Sequence, residues 1–153
     1  MKRGLLIIPV VTLMLAACGG KTVLDETHTF ANNSWMRFEP ERFQFDVNTT
    51  EKPHALILTL RYDTSRYHEA QLPLVVDFFI DSTERHNFTS AIRLRDKRGL
   101  LRGEVMGNYC TVSDTLERHR YYNREGRYTY LIKQRTSKYE LFGMTGLGLR
   151  VEK

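Results

Sequence analysis

Along most of this chain, apolar and polar residues alternate with a period of two, which is the pattern of a β-strand with one buried face. The alternation is clearest in residues 56–62, where Thr59 and Arg61 lie opposite an apolar face made of Leu56, Leu58, Leu60 and Tyr62. A helix would instead repeat its apolar residues every three or four positions. This segment is therefore predicted to be a strand that packs on a core with one side.

Five further segments have the composition of strands, and these are residues 43–47, 72–80, 88–95, 127–134 and 145–151. Residues 72–80 are almost continuously apolar, which predicts a central strand with Pro73 at its start or on an edge. In residues 145–151, Gly146 and Gly148 occupy alternate positions. We expect another part of the structure, or a partner, to approach closely on that face.

Turn-forming residues separate these segments, and no stretch after the N-terminal segment has a sustained helical period. About seven to nine strands at this spacing predict one all-β domain, an antiparallel β-sandwich of jelly-roll or immunoglobulin-like type. A closed barrel is the alternative that the pattern leaves open.

The N-terminal segment differs, because Lys2 and Arg3 precede an apolar run over residues 5–15. This run is shorter than the roughly 20 apolar residues that span a bilayer, and it is typical of a signal peptide. It ends in the sequence Leu15-Ala16-Ala17-Cys18. The small residues give a peptidase access to the bond before the cysteine, and the thiol can be alkylated by a lipid.

We therefore predict a lipoprotein signal peptide over residues 1–17, cleavage between Ala17 and Cys18, and lipid attachment at Cys18. Residues 18–27 are mostly small or polar without a period, which predicts a short tether before a sandwich domain of residues 28–153. Through this lipid the protein is expected to bind a membrane. Of the possible locations in the cell envelope, we favour the outer membrane or the periplasmic face.

The second cysteine, Cys110, is flanked by strand-forming residues and is expected to be a buried, inert thiol. Because Cys18 is expected to be lipidated, Cys110 has no partner for a disulfide within the chain. The formal net charge is +5, but two of the 23 basic residues belong to the signal peptide, which leaves 21 against 18 acidic residues. The basic run of Arg93, Arg95, Lys97, Arg98 and Arg102 is expected to be a solvated face, and we expect no nucleic-acid partner.

The C-terminal part, GRYTYLIKQ at residues 126–134 and LFGMTGLGLRVEK at residues 141–153, resembles the end of the gliding-motility lipoprotein H (GldH) family of Bacteroidota. Agreement in order and spacing extends to Trp35 before the strand with Phe43 and Phe45, to LTLRYDT at residues 58–64, and to LRGEVMG at residues 101–107. The resemblance implies a non-catalytic accessory or structural component of gliding-motility or type IX secretion machinery, without a cofactor. Its expected partner is an envelope protein complex, which an unpaired edge strand can recruit by strand addition.

No catalytic signature of the Gly-x-Ser-x-Gly, Ser-x-x-Lys or His-Glu-x-x-His type is present. The five histidines are dispersed, which predicts surface positions and no metal site, and they are His28, His54, His68, His86 and His119. An unrecognised hydrolase remains an alternative, because paired carboxylates can act on glycosides and the chain offers Glu39, Glu41, Asp46 and Asp77. The sequence does not select two of them.

A glycan-binding lipoprotein is the other alternative, because exposed aromatic side chains can stack on sugar rings. The candidates are Trp35, Tyr121, Tyr122, Tyr128 and Tyr130. For Trp35, Tyr128 and Tyr130 we favour a place in the core. Thr115, in the sequence Asp114-Thr115-Leu116, fits the O-glycosylation motif of exported Bacteroidota proteins and is a candidate modification site.

Replacing Cys18 with Ala should abolish acylation and release the protein from membranes, because the lipid is attached through this thiol. Metabolic labelling with an alkyne fatty acid checks this directly, together with the protein recovered in washed membranes. Cys110→Ala is the matched control and should keep the label. Label on the Cys18→Ala protein would contradict the assignment.

Overall fold

The computed structural model describes residues 21–81 and 84–153, and in these two ranges the chain forms eleven β-strands. Their bounds are β1 Thr22–Thr29, β2 Ser34–Met36, β3 Glu41–Val47, β4 His54–Asp63, β5 Gln71–Ile80, β6 Glu84–Arg93, β7 Glu104–Met106, β8 Tyr109–Arg120, β9 Gly126–Gln134, β10 Glu140–Phe142 and β11 Met144–Glu152. A short 3₁₀ turn, Ala31–Asn33, lies between β1 and β2.

These strands form two main antiparallel sheets whose inner faces pack together. One has the order β1-β11-β4-β8-β7, the other has the order β3-β9-β5-β6, and β2 pairs separately with β10. The predicted all-β antiparallel sandwich is confirmed. Each main sheet ends in edge strands, so the described chain is an open sandwich and does not form the closed barrel that the sequence left open.

The core is formed by the alternating apolar faces that the sequence predicts. Leu56, Leu58 and Leu60 of β4 are almost completely buried, as are Val76 of β5 and Ile132 of β9. Burial of each such side chain contributes about 1.5–3 kcal/mol. Aromatic rings fill the layer between the sheets, with Tyr130 stacked 5.5 Å from Phe45 and 5.2 Å from Phe78 between ring centroids. This core holds the two sheets together, and the described residues contain no disulfide.

Two local predictions are confirmed, the central position of residues 72–80 in a sheet and the burial of Cys110. Strand β5 is central in its sheet, between β9 and β6, and Pro73 is its third residue. The Pro73 carbonyl still accepts a hydrogen bond of 2.8 Å from the Arg135 amide. Cys110 is a buried free thiol, and its Sγ donates a 3.0 Å hydrogen bond to the Arg102 carbonyl.

The predicted tether over residues 18–27 is wrong from Thr22 onward, because β1 is hydrogen-bonded along β11. Lys21 continues this pairing by exchanging backbone hydrogen bonds of 3.0 and 3.1 Å with Lys153. The strand was missed because it is an edge strand with both faces partly wet, so its side chains do not alternate between apolar and polar. Its two aliphatic residues that pack against the core are Val23 and Leu24.

The alternate glycines of β11 are explained by the same strand. A Cβ atom at Gly146 would lie 2.8 Å from the His28 carbonyl oxygen, and one at Gly148 would lie 2.8 Å from the Thr27 Oγ1. The expected close approach is therefore made by β1. Because β11 lies between β1 and β4, it does not offer a free edge to a partner strand.

We predict that Gly146→Ala and Gly148→Ala both destabilise the domain, by about 1–3 kcal/mol in the free energy of unfolding, because each added methyl group forces a shift of β1. The cost at Gly148 should be partly relieved by a second change, Thr27→Ala, since that removes the obstructing hydroxyl. The cost at Gly146 should not be relieved, because its obstacle is backbone. Urea unfolding of the four variants tests this, and equal rescue at both glycines would contradict it.

Candidate functional site

The two sheets approach each other at two seams, one between β1 and β3 and the other between β6 and β8. The first seam is closed by His28, which stacks on Phe43 with 4.3 Å between ring centroids. Its Nδ1 lies 2.6 Å from Glu41 Oε2 and its Nε2 lies 2.7 Å from Glu26 Oε1. Burial opposes protonation, but the hydrogen bonds to Glu26 and Glu41 outweigh it and raise the pKa of His28 above 6.5.

The second seam is closed at one point by Asp114 of β8. Its carboxylate accepts hydrogen bonds from the Arg93 backbone amide at 3.0 Å and from Arg93 Nε and Nη2 at 3.1 and 3.0 Å. Arg102 Nη1 adds a 3.4 Å contact to the same carboxylate. Burial alone would raise the pKa of Asp114, but the Arg93 hydrogen bonds and both guanidinium charges lower it to about 2.

Beyond this contact the second seam is open. It forms a cavity of about 420 Å³ and a second cavity of about 270 Å³ that shares three of its lining residues, Phe78, His86 and Arg120. Strand β6 pairs only with β5, and β7 covers only residues 109–111 of β8. In the described part of the chain, two backbone edges therefore border the opening without a strand partner.

Two irregularities in β8 shape this opening. Leu56 of β4 pairs with Glu117 of β8. On one side of this pair Ile57 faces Thr115, and on the other side His54 faces Arg120, so β8 carries one extra residue on each side of Glu117. Such bulges twist a strand and redirect its side chains. The inward alternation of Cys110, Val112 and Asp114 thus gives way to Glu117 and Arg120, which point into the seam.

Glu117 and Arg120 form the polar part of this seam. Arg120 lies over the Phe78 ring at 4.2 Å from its centroid, and its Nη1 donates a 3.3 Å hydrogen bond to Glu117 Oε1. Burial raises the pKa of Glu117, and Arg120 opposes that rise only in part. Arg120 Nε and Glu117 Oε2 are buried without a hydrogen-bond partner among the described residues. Both atoms are shielded from solvent, so the groups that an added segment can reach are those that line the two cavities.

Sequence reasoning did not identify this site. The signal that was available is the change at residue 115, where a regular alternation gives way to the run Leu116-Glu117-Arg118-His119-Arg120. A break of alternation within a strand is typical of a bulge.

The residues predicted for lipidation, Ala17 and Cys18, lie outside the described residues. Thr115 lies in β8 opposite Ile57 and is partly buried, and its glycosylation stays a prediction. The aromatic platform is wrong for Trp35, Tyr122, Tyr128 and Tyr130, which are all in the core, as we favoured for three of them. Only Tyr121 of that set is exposed, at 56%.

Three of the four candidate acids are paired with basic side chains in three separate contacts. Glu41 contacts His28, Asp46 accepts two hydrogen bonds from Arg127, and Asp77 contacts both Arg85 and Lys133. The remaining one, Glu39, is exposed. Burial opposes the negative charge of Asp77, but these two cations lower its pKa below the usual value.

The histidines are mostly exposed or half-buried, as predicted, with one exception. His54 is fully buried against Tyr122, 5.2 Å between ring centroids, so its surface assignment is wrong. Burial next to Lys153 lowers the pKa of His54, which favours the neutral ring. Among residues 21–81 and 84–153, no three His, Cys, Asp or Glu side chains are grouped as metal ligands would be.

The basic run is only partly the solvated face that we expected. Lys97 and Arg98 are exposed, but Arg93 and Arg102 both hold Asp114 across the second seam. Arg95 is half-buried and donates a 2.9 Å hydrogen bond to the Gly99 carbonyl. Arg98 Nη2 also lies 3.6 Å from Asp96 Oδ2, so four of the five members contact other residues.

Together, the fold and the second seam define an antiparallel β-sandwich domain with one open side. A family model described as GldH lipoprotein matches residues 22–151, from the first residue of β1 into β11. The chain therefore belongs to the GldH lipoprotein family, a membrane-anchored lipoprotein family of the cell envelope. No curated protein and no solved structure matches the chain. In the part of the chain that the structure describes, no helix is long and apolar enough to cross a membrane.

Replacing Asp114 with Asn should lower the free energy of unfolding at neutral pH by about 1.5–3 kcal/mol, because charged hydrogen bonds across the seam are lost. The pKa of Asp114 is about 2 in the folded state, below its unfolded value, so its contribution is present above about pH 4 and is lost as the pH falls through 2. Urea unfolding between pH 2 and 7 should therefore give a flatter profile for Asp114→Asn. Asp46→Asn, in an exposed ion pair, is the control and should change little.

Proposed function

We propose that this protein is a non-catalytic accessory component of gliding-motility or type IX secretion machinery, anchored to a membrane through lipidated Cys18. Membership of the GldH lipoprotein family supports the association with gliding motility. The sequence Leu15-Ala16-Ala17-Cys18, which is typical of a lipoprotein cleavage site, supports the anchor. An anchor of this kind confines the domain to a surface and raises its effective concentration for partners in the same membrane.

The open seam is the proposed contact with the partner, and an extended segment of an envelope protein is the proposed occupant. The observation that carries this proposal is the open seam itself, where β6 pairs only with β5 in the described residues and cavities of about 420 and 270 Å³ lie between β6 and the end of β8. A strand added to β6 gains backbone hydrogen bonds along the edge.

The composition of the seam indicates what kind of segment fits. Phe78 and Leu116 offer apolar contact, while the nearby end of β8 carries Arg118, His119 and Arg120. A partner strand that alternates apolar with acidic side chains matches this surface. Its apolar side chains would contact the apolar residues of the seam, and its acidic side chains would face the basic end of β8. A strongly basic segment would be repelled.

The test is affinity purification of the tagged full-length lipoprotein from detergent-solubilised native membranes, followed by mass spectrometry. Secretion or motility components should be recovered with the native protein and lost with Cys18→Ala. Arg120→Gln should weaken partner recovery by about 10- to 100-fold in affinity, the expected effect of removing a charged hydrogen-bonding group from an interface.

Arg127→Gln is the matched control, because this arginine is exposed and pairs with Asp46 on β3, an edge strand away from the open seam. It should leave recovery unchanged. Thermal unfolding of each variant separates loss of the partner from loss of the fold. Equal recovery with Arg120→Gln would overturn the seam as the contact, and the absence of any envelope partner from the native protein would overturn the accessory role.

A further inference from the structure

A second concave surface lies on the outer face of the five-stranded sheet, opposite the core. The strand registers place its side chains in two rows across four strands. One row is Thr29, Gly146, Arg61 and Thr111, and the next is Thr27, Gly148, Thr59 and Ser113. Each row has a glycine in β11 with hydroxyl or guanidinium groups on the flanking strands, so the face is recessed at β11, where Gly146 lines the groove.

The groove has a volume of about 510 Å³, a size suited to a small-molecule site. Its walls are dominated by hydroxyl groups, of which Thr59 Oγ1 and Ser113 Oγ share a 2.7 Å hydrogen bond. The hydroxyls of Thr27, Thr29 and Thr111, which line the groove, have no hydrogen-bond partner within residues 21–81 and 84–153, so they are left to solvent or a ligand. A hydroxyl both donates and accepts, so these groups match a ligand that itself carries many hydroxyls.

One positive charge stands in this groove. The Arg61 guanidinium lies 4.8 Å from the centroid of the Tyr109 ring, which holds it in place. Arg61 forms no ion pair with a carboxylate in residues 21–81 or 84–153, in contrast to Arg93, Arg127 and Arg150. A positioned arginine with free donors is a site for a carboxylate, which it can bind with two parallel hydrogen bonds.

The groove continues at one end into a cavity of about 290 Å³, which is lined by the charged residues Asp63 and Arg66 and by two unusual residues, Asn32 and Asn33. Both have left-handed backbone conformations, with φ angles of 55° and 50°. Asparagine tolerates this conformation better than most residues, but two in succession are uncommon. Phe142, which is 58% exposed, lines the same cavity and presents an aromatic ring beside the two amides.

We propose that this groove binds a saccharide that carries a carboxylate. The hydroxyls of the walls and the two asparagine amides pair with sugar hydroxyls, Arg61 binds the carboxylate, and the Phe142 ring packs on the apolar face of a sugar. An added peptide strand is a poor alternative here, because the backbones of β11 and β4 are paired on both sides. This site shares none of its lining residues with the open seam.

The position of the groove in the domain agrees with this role. Its wide end, at Thr29 and Asn33, lies at the opposite end of β1 from Lys21, and eight residues of strand span about 25 Å. The binding end therefore faces away from the proposed lipid anchor, where a glycan chain can reach it.

The experiment is a comparison of the purified domain with an array of matched oligosaccharides that differ only in a carboxylate, such as uronic acids and their methyl esters. Carboxylated members should be retained, and their esters should bind about tenfold more weakly, the expected loss for one charged hydrogen-bonding pair. Calorimetry with the oligosaccharide that binds most tightly then measures the affinity of each variant. The same acid in free oligosaccharide and in glycolipid vesicles distinguishes a soluble polysaccharide from a membrane glycolipid as its source.

Arg61→Gln should reduce affinity for carboxylated members by about tenfold and leave affinity for the esters unchanged. The double variant Asn32→Gly, Asn33→Gly keeps the left-handed turn, removes both amides, and should weaken binding to both classes. Arg42→Gln removes an exposed arginine from β3 of the other sheet and is the matched control. Arg120→Gln should not affect sugar binding, so this proposal and that for the seam fail independently.

Failure to retain any carboxylated oligosaccharide would overturn the proposal. So would equal binding of acids and esters, or unchanged affinity in both groove variants.

Discussion

Strand β1 lies unusually close to β11 because two positions of β11 have no side chain. At Gly146 and Gly148 a Cβ atom would lie 2.8 Å from an atom of β1, so the present position of β1 depends on this pair of glycines. Several features follow from it. The strand supplies His28, which closes the first seam, and it supplies Thr27 and Thr29, which form one wall of the outer groove. A constraint at two positions thus determines one edge of the domain and one of its surfaces.

The sequence predicted the fold well where a strand has one buried face. Residues 56–62 and four of the five other patterned segments lie within strands, while the fifth, residues 88–95, extends two residues beyond the end of β6. The core assignments of Trp35, Tyr128 and Tyr130 are confirmed. The prediction failed at β1, where an edge strand has no apolar face to reveal it. It also failed at His54, whose burial depends on Tyr122, a residue 68 positions away in the chain.

The candidate sites were harder to predict than the fold, because each is made by registers between distant strands. Glu117 and Arg120 reach the seam through the pairing of β8 with β4, and no local pattern specifies which residue of β8 is bulged. The outer groove joins residues from β1, β4, β8 and β11. A glycine repeat could be read from the sequence, but the hydroxyl and guanidinium groups beside it could not be assigned to neighbouring strands.

The hydrogen bonds between Lys21 and Lys153 have a geometric consequence for the proposed anchor at Cys18. Two residues, Gly19 and Gly20, separate Cys18 from Lys21 in the sequence, and three Cα–Cα steps of chain reach no further than about 11 Å. With Cys18 acylated, Lys21 and its partner Lys153 would lie within that distance of the lipid surface. The anchor would then give the domain little freedom to move away from the membrane, so a partner would have to come to that surface or diffuse within the same membrane.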